Sequence, residues 1–168
     1  MENNKALDIL KTAILMEKRG MALYEEVVAR TQSEEVKMIF QIMADEEKVH
    51  AKYLAEQFKS YMSTNTFTRQ DLSTSDGDEK IVDMILSGNI KNQINAAGFE
   101  AAAIGAAIDM ETKAIEVYRN RANESTDENE KALFNWLADW ERGHYEVLLK
   151  LDNELKERIW ADNDFWPF

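Results

Sequence analysis

The chain has only two histidines, and each follows a glutamate by three residues: Glu47-x-x-His50 and Glu141-x-x-His144. Residues three apart share one face of an α-helix, so either pair could grip a cation. One such pair is common by chance on an acidic helix. Both histidines in the same arrangement is a far rarer event. Carboxylate with imidazole is the donor chemistry of iron, manganese and zinc centres.

Two further glutamates occupy matching places. Glu17, with Tyr24 seven residues on, recurs as Glu111 with Tyr118. The pairs 17 and 111, 24 and 118, 47 and 141, and 50 and 144 all differ by 94. Phe40 and Phe134, and Ala44-Asp45 and Ala138-Asp139, keep the same offset. A repeat of this kind marks a duplicated structural unit.

The elements that must position these residues are long helices. Apolar residues recur at helical spacing through Leu10, Ala13, Ile14, Met21 and Val28, which predicts a first helix from about Asn4 to Arg30. Ser33 suits an N-cap with Glu34 and Glu35 in the first turn. The second helix then runs to about Tyr61, with Phe40, Met43, Leu54 and Phe58 on its inner stripe. Residues from Met62 to Gly77 are polar and turn-rich, and Ile81, Met84 and Ile85 suggest a short helix ended near Gly88. A third long helix is expected from about Ala96 to Ala122, and a fourth from about Asp127 to Lys156.

Two short turns flanking one long connection predict an all-α four-helix bundle of two antiparallel hairpins. The expectation is a single domain over 1–168, with hairpins at 4–61 and 96–157, a crossover at 62–95 and an aromatic tail at 158–168. The tail, with Trp160, Phe165, Trp166 and Phe168, is expected to pack on the bundle or on a second subunit, which suggests a homodimer.

Hairpin geometry brings the six residues together. Residue 32, midway between Glu17 and Glu47, falls in the first turn, and residue 126, midway between Glu111 and Glu141, falls in the second. At about 1.5 Å rise per residue, all four glutamates lie roughly 22 Å from their turns. They also sit on the apolar stripes. Four carboxylates buried without counter-charge would cost many kcal/mol or be forced to protonate. Two divalent cations would supply the balancing charge. An oxygen-rich set with one imidazole per ion suits iron or manganese better than structural zinc.

With that motif in place, the chain resembles the ferritin-like diiron-carboxylate superfamily, and within it rubrerythrin-like proteins lacking the rubredoxin domain. The resemblance covers the four long helices. It implies that Glu17 and Glu111 are terminal ligands, that Glu47 and Glu141 bridge, and that His50 and His144 each bind one ion. The implied cofactor is two iron ions cycling between Fe2+ and Fe3+, with manganese or zinc as substitutes. The implied activity is reduction of hydrogen peroxide, or activation of dioxygen, by a nonheme diiron oxidoreductase. Tyr24 and Tyr118 resemble tyrosines that stand beside the ligands in that family. Aromatic core packing with a satisfied hydroxyl is the other reading of both.

Two departures qualify the resemblance. The chain has no cysteine, hence no four-cysteine iron site, and its electrons are expected from an external donor protein such as rubredoxin. Typical rubrerythrins carry a second glutamate one turn after the third-helix ligand; here that position is Ala114, matched by Gly20 in the first half. The six-ligand set therefore also resembles bacterioferritin's ferroxidase centre, which gives the alternative of a ferroxidase or iron-storage protein. A binding or scaffold protein with a structural metal cluster is the third reading. The small residues at 20 and 114 either leave room for an oxidant or permit close helix packing. One feature breaks the repeat: Glu46 precedes the first motif where Trp140 precedes the second. Glu46 either tunes one metal or is a solvated surface residue, and the surface reading is preferred.

Composition narrows the remaining classes. A formal net charge of -12 argues against nucleic acid, whose binding needs clustered cations. The absence of cysteine excludes disulfides, zinc-thiolate sites and iron–sulfur clusters. No stretch has the length and apolarity of a membrane span, and the first residues do not form a signal peptide, so a cytoplasmic location is expected. Phosphate loops and dinucleotide fingerprints are absent, and no serine pairs with a base for hydrolysis.

Overall fold

In the computed structural model, residues 2–69 and 98–162 are described, with side chains over 5–69 and 98–157. Four helices account for all but the turns and ends among them: α1 (Glu2–Arg30), α2 (Glu34–Thr64), α3 (Phe99–Glu124) and α4 (Glu128–Asp162). No strand occurs among the described residues. The chain is an all-α four-helix bundle, with α1 packed along α2 and α3 along α4. The expected short helix near Ile81 and Ile85, most of the crossover and the aromatic side chains of the tail lie outside the described residues.

Both tight turns carry the chemistry that their sequence suggests. Ser33 Oγ accepts from the Val36 amide at 3.2 Å, capping α2. Asp127, its repeat counterpart, accepts from the amides of Asn129 at 2.8 Å and Glu130 at 3.0 Å at the start of α4. Each cap satisfies backbone donors that the first helical turn leaves without partners.

Some helix ends differ from expectation for local reasons. The α2 helix runs three residues past Tyr61 because Asn65 adopts the left-handed conformation (φ 56°) and its amide closes on the Tyr61 carbonyl. Asparagine tolerates that region better than most residues. The α3 helix begins at Phe99, with Gly98 at its cap, rather than at Ala96. At the other end α4 continues to Asp162, with Leu155 still in its buried stripe and no helix breaker before Pro167.

The core is divided in two along the bundle. One apolar cluster includes Tyr24, Val27, Val36, Phe40, Ile104, Leu148 and Leu155. The other includes Leu10, Leu54, Tyr118, Ala122, Phe134 and Leu137. The first joins the α1–α2 turn to the far end of α4, and the second joins the α3–α4 turn to the start of α1. The two hairpin turns therefore lie at opposite ends. Arg30 stacks on the Phe99 ring at 3.7 Å, fixing the end of α1 to the start of α3.

Candidate metal centre

Between the two apolar clusters lies a layer of charge. Glu17 on α1, Glu47 and His50 on α2, Glu111 on α3, and Glu141 and His144 on α4 are all buried. The helical stripes carry them inward, and the duplicated spacing sets them at one level. His50 Nδ1 lies 3.0 Å from Glu17 Oε2 and 3.4 Å from Glu141 Oε1. His144 Nδ1 lies 3.3 Å from both Glu47 Oε1 and Glu141 Oε2. The two rings stack at 29°, with centroids 6.1 Å apart.

Two overlapping sets could each hold an ion: Glu17, Glu47, His50 and Glu141, and Glu47, Glu111, Glu141 and His144. In each set the donor atoms lie within 4.8 Å of one another. Glu47 and Glu141 belong to both. All six residues expected from the sequence are thus brought together.

The donors also show a specific want of partners. Both carboxylate oxygens of Glu141 and Nδ1 of His144 are buried without any hydrogen bond, despite their short separations. An orphaned buried polar atom is costly. Three such atoms converging on one point fit a site built for cations.

Electrostatics within the layer sort the carboxylates into two classes. Burial, with the charges of Glu141 and Glu47, holds Glu17 well above the ordinary carboxylate range. Burial and the charge of Glu141 push Glu111 up to about 8. Burial also pushes on Glu141, but the facing imidazoles of His144 and His50 outweigh it and hold that group low. Burial and Glu141 press Glu47 upward, yet His144, His50 and Glu17 bring it below its usual value. Burial disfavours charge on His50 and His144, but the surrounding carboxylates raise both well above the usual histidine range. The layer thus favours negative charge on Glu47 and Glu141, positive charge on the two imidazoles, and a proton on Glu17 and Glu111.

Tyr24 and Tyr118 are fully buried, and each makes more than an aromatic contact. The Tyr24 hydroxyl donates to Glu111 Oε1, and the Tyr118 hydroxyl to Glu17 Oε1. Burial and then the neighbouring carboxylate charges raise both phenols well above their usual range, so both remain donors. Each ring also packs on a phenylalanine, Tyr24 on Phe40 and Tyr118 on Phe134.

Glu46 is not a solvated surface residue. It is 8% exposed, and its Oε2 lies 2.9 Å from His144 Nε2. The residue before a buried helical position turns about 100° away from it, and in this bundle that direction points at α4 rather than at water. Trp136 and Trp140 also flank the centre, with rings 5.2 Å and 5.4 Å from that of His50. Spacing gave no reason to single them out as site residues, although both replace dissimilar residues of the first half, Ile42 and Glu46.

A cavity of about 130 Å³ opens between α1 and α3 and reaches Glu17, Glu47, Glu111 and Glu141. Met16, Met110, Gly20 and Ala114 form much of its wall, with Arg19 and Lys113 also contributing. The missing side chain of Gly20 also makes room for a neighbouring side chain. A Cβ there would come within 3.1 Å of Glu47 Cδ, so the glycine admits the Glu47 carboxylate itself.

No helix among the described residues is long and apolar enough to cross a membrane. A family model described as Rubrerythrin matches residues 8–152, a span that contains all six donors and both tyrosines. No curated protein and no solved structure matches the chain.

Proposed function

The chain belongs to the rubrerythrin family of diiron-carboxylate proteins, and from that premise we propose that it is a nonheme diiron oxidoreductase that reduces hydrogen peroxide or activates dioxygen. The observation that carries this reading is the sharing of Glu47 and Glu141 between two ligand sets. Two shared carboxylates would hold a pair of cations, which when bound would supply redox chemistry to one small molecule. In this assignment Glu17 and His50 complete one coordination sphere, and Glu111 and His144 complete the other.

When bound, two ferrous ions supply the electron pair that cleaves an O–O bond. The chain's own residues position and shelter that chemistry. Tyr24 and Tyr118 fix the two terminal carboxylates by hydrogen bonds. The apolar clusters on either side close the layer off along the bundle. The cavity between α1 and α3 offers a small oxidant a path to the carboxylates, while both histidines approach from α2 and α4. Reduction of peroxide to two waters consumes two electrons and two protons. We infer that the electrons come from an external donor protein such as rubredoxin and that the protein works in the cytoplasm as a homodimer. Manganese or zinc could occupy the same donors.

A ferroxidase or iron-storage role of the bacterioferritin type is the second reading. It is favoured by Ala114, which is buried and lines the cavity, where a further glutamate would add a seventh ligand. Anaerobic loading with ferrous iron followed by stopped-flow mixing separates the two. Oxidation much faster with peroxide than with oxygen supports the peroxidase reading. Faster reaction with oxygen, with net iron uptake into a large assembly, supports storage. A protein that binds iron but never changes its oxidation state would reject both.

A further inference from the structure

The two halves of the bundle repeat each other at the ligands but not behind the histidines. Both imidazoles turn Nδ1 toward the carboxylates, at 3.0 Å from Glu17 for His50 and 3.3 Å from Glu141 for His144. The opposite edge of His144 meets Glu46, with Nε2 to Oε2 at 2.9 Å. The repeat places Trp140 where Glu46 would stand for His50. That indole is buried, with its ring 5.4 Å from His50 at 66°. Trp136, the counterpart of Ile42, meets His50 edge-on at 5.2 Å. An indole N–H can donate but not accept, so neither tryptophan can take the proton of an imidazole N–H.

This difference acts on the metal-facing nitrogen. With Nδ1 bound to a cation, the ring proton must sit on Nε2. In His144 that proton is donated to Glu46. A carboxylate behind a ligating imidazole fixes its tautomer and orientation and makes the ligand nitrogen more basic. Glu46 also brings a negative charge to the His144 side of the layer. At His50 the repeat position holds an indole that cannot accept that proton, and the same indole also edges His144, at 6.4 Å.

We propose that Glu46 makes the two cation positions unequal, so that the one served by His144 and Glu111 fills first and more tightly than the one served by His50 and Glu17. Glu46 is on this view a positioning residue, acting through His144. The inference rests on the dimetal reading above. It gives the protein a defined half-loaded state, and so a means of holding two different divalent ions in a fixed order.

The test is titration of the metal-free full chain with divalent cobalt, followed by visible absorption and by the hyperfine-shifted histidine N–H signals in proton NMR. The chain has only two histidines, and a His50→Gln variant assigns their signals. The expected result is two steps in the wild type, the first about 10-fold or more tighter and reported by His144. Glu46→Gln keeps an acceptor of the same size without the charge. It should weaken the first step by about 10- to 100-fold and leave the second in place, so that the two signals grow together. A general packing defect would instead move both steps. If both signals rise together in the wild type, or if Glu46→Gln weakens both steps alike, the inequality is overturned and the dimetal reading stands. If the wild type takes up no cobalt, both fall.

Discussion

The Tyr24 hydroxyl on α1 donates to Glu111 on α3, and Tyr118 on α3 returns the bond to Glu17 on α1. These bonds tie together two helices that no tight turn joins. They also hold the Glu17 and Glu111 carboxylates from outside their own helices. A hydrogen bond to a buried carboxyl contributes about 1–3 kcal/mol, and an outer partner of a metal ligand typically controls metal affinity by 10- to 100-fold. Tyr24→Phe should therefore lower the stability of the metal-free chain by about 1–2 kcal/mol and weaken cobalt binding by about 10-fold. Urea unfolding and cobalt titration check the two effects separately. Unchanged metal affinity would reduce the tyrosine to a packing residue.

Protonation of the metal-free layer predicts how it gains and loses stability with pH. Glu17 and Glu111 are raised, the latter to about 8 from an ordinary value of 4.5. The folded chain thus binds protons that the unfolded chain has shed, and stability falls as pH rises through that window. The raised histidines act in the same direction above 6.5. The lowered Glu47 and Glu141 act oppositely: their contribution is present above 4.5 and is lost as pH falls below it. The melting temperature of the metal-free protein should therefore fall between pH 5 and pH 8, as seen by circular dichroism. Glu111→Gln, a permanent mimic of the protonated form, should flatten the fall.

The same pattern couples metal binding to proton release. Glu111, raised to about 8, holds its proton at pH 7, and Glu17, His50 and His144 are shifted in the same proton-holding direction. Loading two divalent ions should therefore release protons, because metal ligands bind in their deprotonated forms. Calorimetry in buffers of different ionisation enthalpy counts them. Binding with no proton release at pH 7 would contradict the charge distribution within the layer.

Gly20 is a place where helix stability and site geometry pull apart. Alanine in a helix interior is favoured over glycine by about 0.5–1 kcal/mol. Yet a Cβ at this position would press on the Glu47 carboxyl at 3.1–3.2 Å. Gly20→Ala should leave the melting temperature of the metal-free protein unchanged or higher. Binding of both ions should weaken, since Glu47 belongs to both ligand sets. Thermal melts with and without cobalt make the comparison.

Which parts of this centre were legible in the sequence follows from helix geometry. Periodicity and a fixed offset locate residues along and around a single helix, so Glu17, Glu47, His50, Glu111, Glu141 and His144 could be placed at one buried level. The cap at Ser33 was legible because it acts within four residues. Contacts between helices were not. The tyrosines could be seen to face the core, but not to bond the carboxylate of the opposite helix. Glu46 looked solvated because its own helix places it beside the buried stripe. Only the position of α4 shows that His144 is waiting there. The path of the crossover beyond residue 69 depends on residues outside those described.

Removing a shared ligand should differ in kind from removing a terminal one. Glu141 stands in both ligand sets, and neither of its oxygens has a hydrogen-bond partner. Glu17 stands in one set and is already bonded to Tyr118. Glu17→Gln should therefore keep an ion at the His144 position and reduce the stoichiometry from two to one. Glu141→Gln takes a donor from both positions and should weaken both, leaving less than one ion bound at the same free cobalt concentration. Each bound ion also stabilises the fold by mass action, about 2.7 kcal/mol at 100 times its dissociation constant. Cobalt should accordingly raise the melting temperature most in the wild type, less in Glu17→Gln and least in Glu141→Gln. Native mass spectrometry gives the stoichiometry directly, and equal losses in the two variants would show that Glu141 does not bridge.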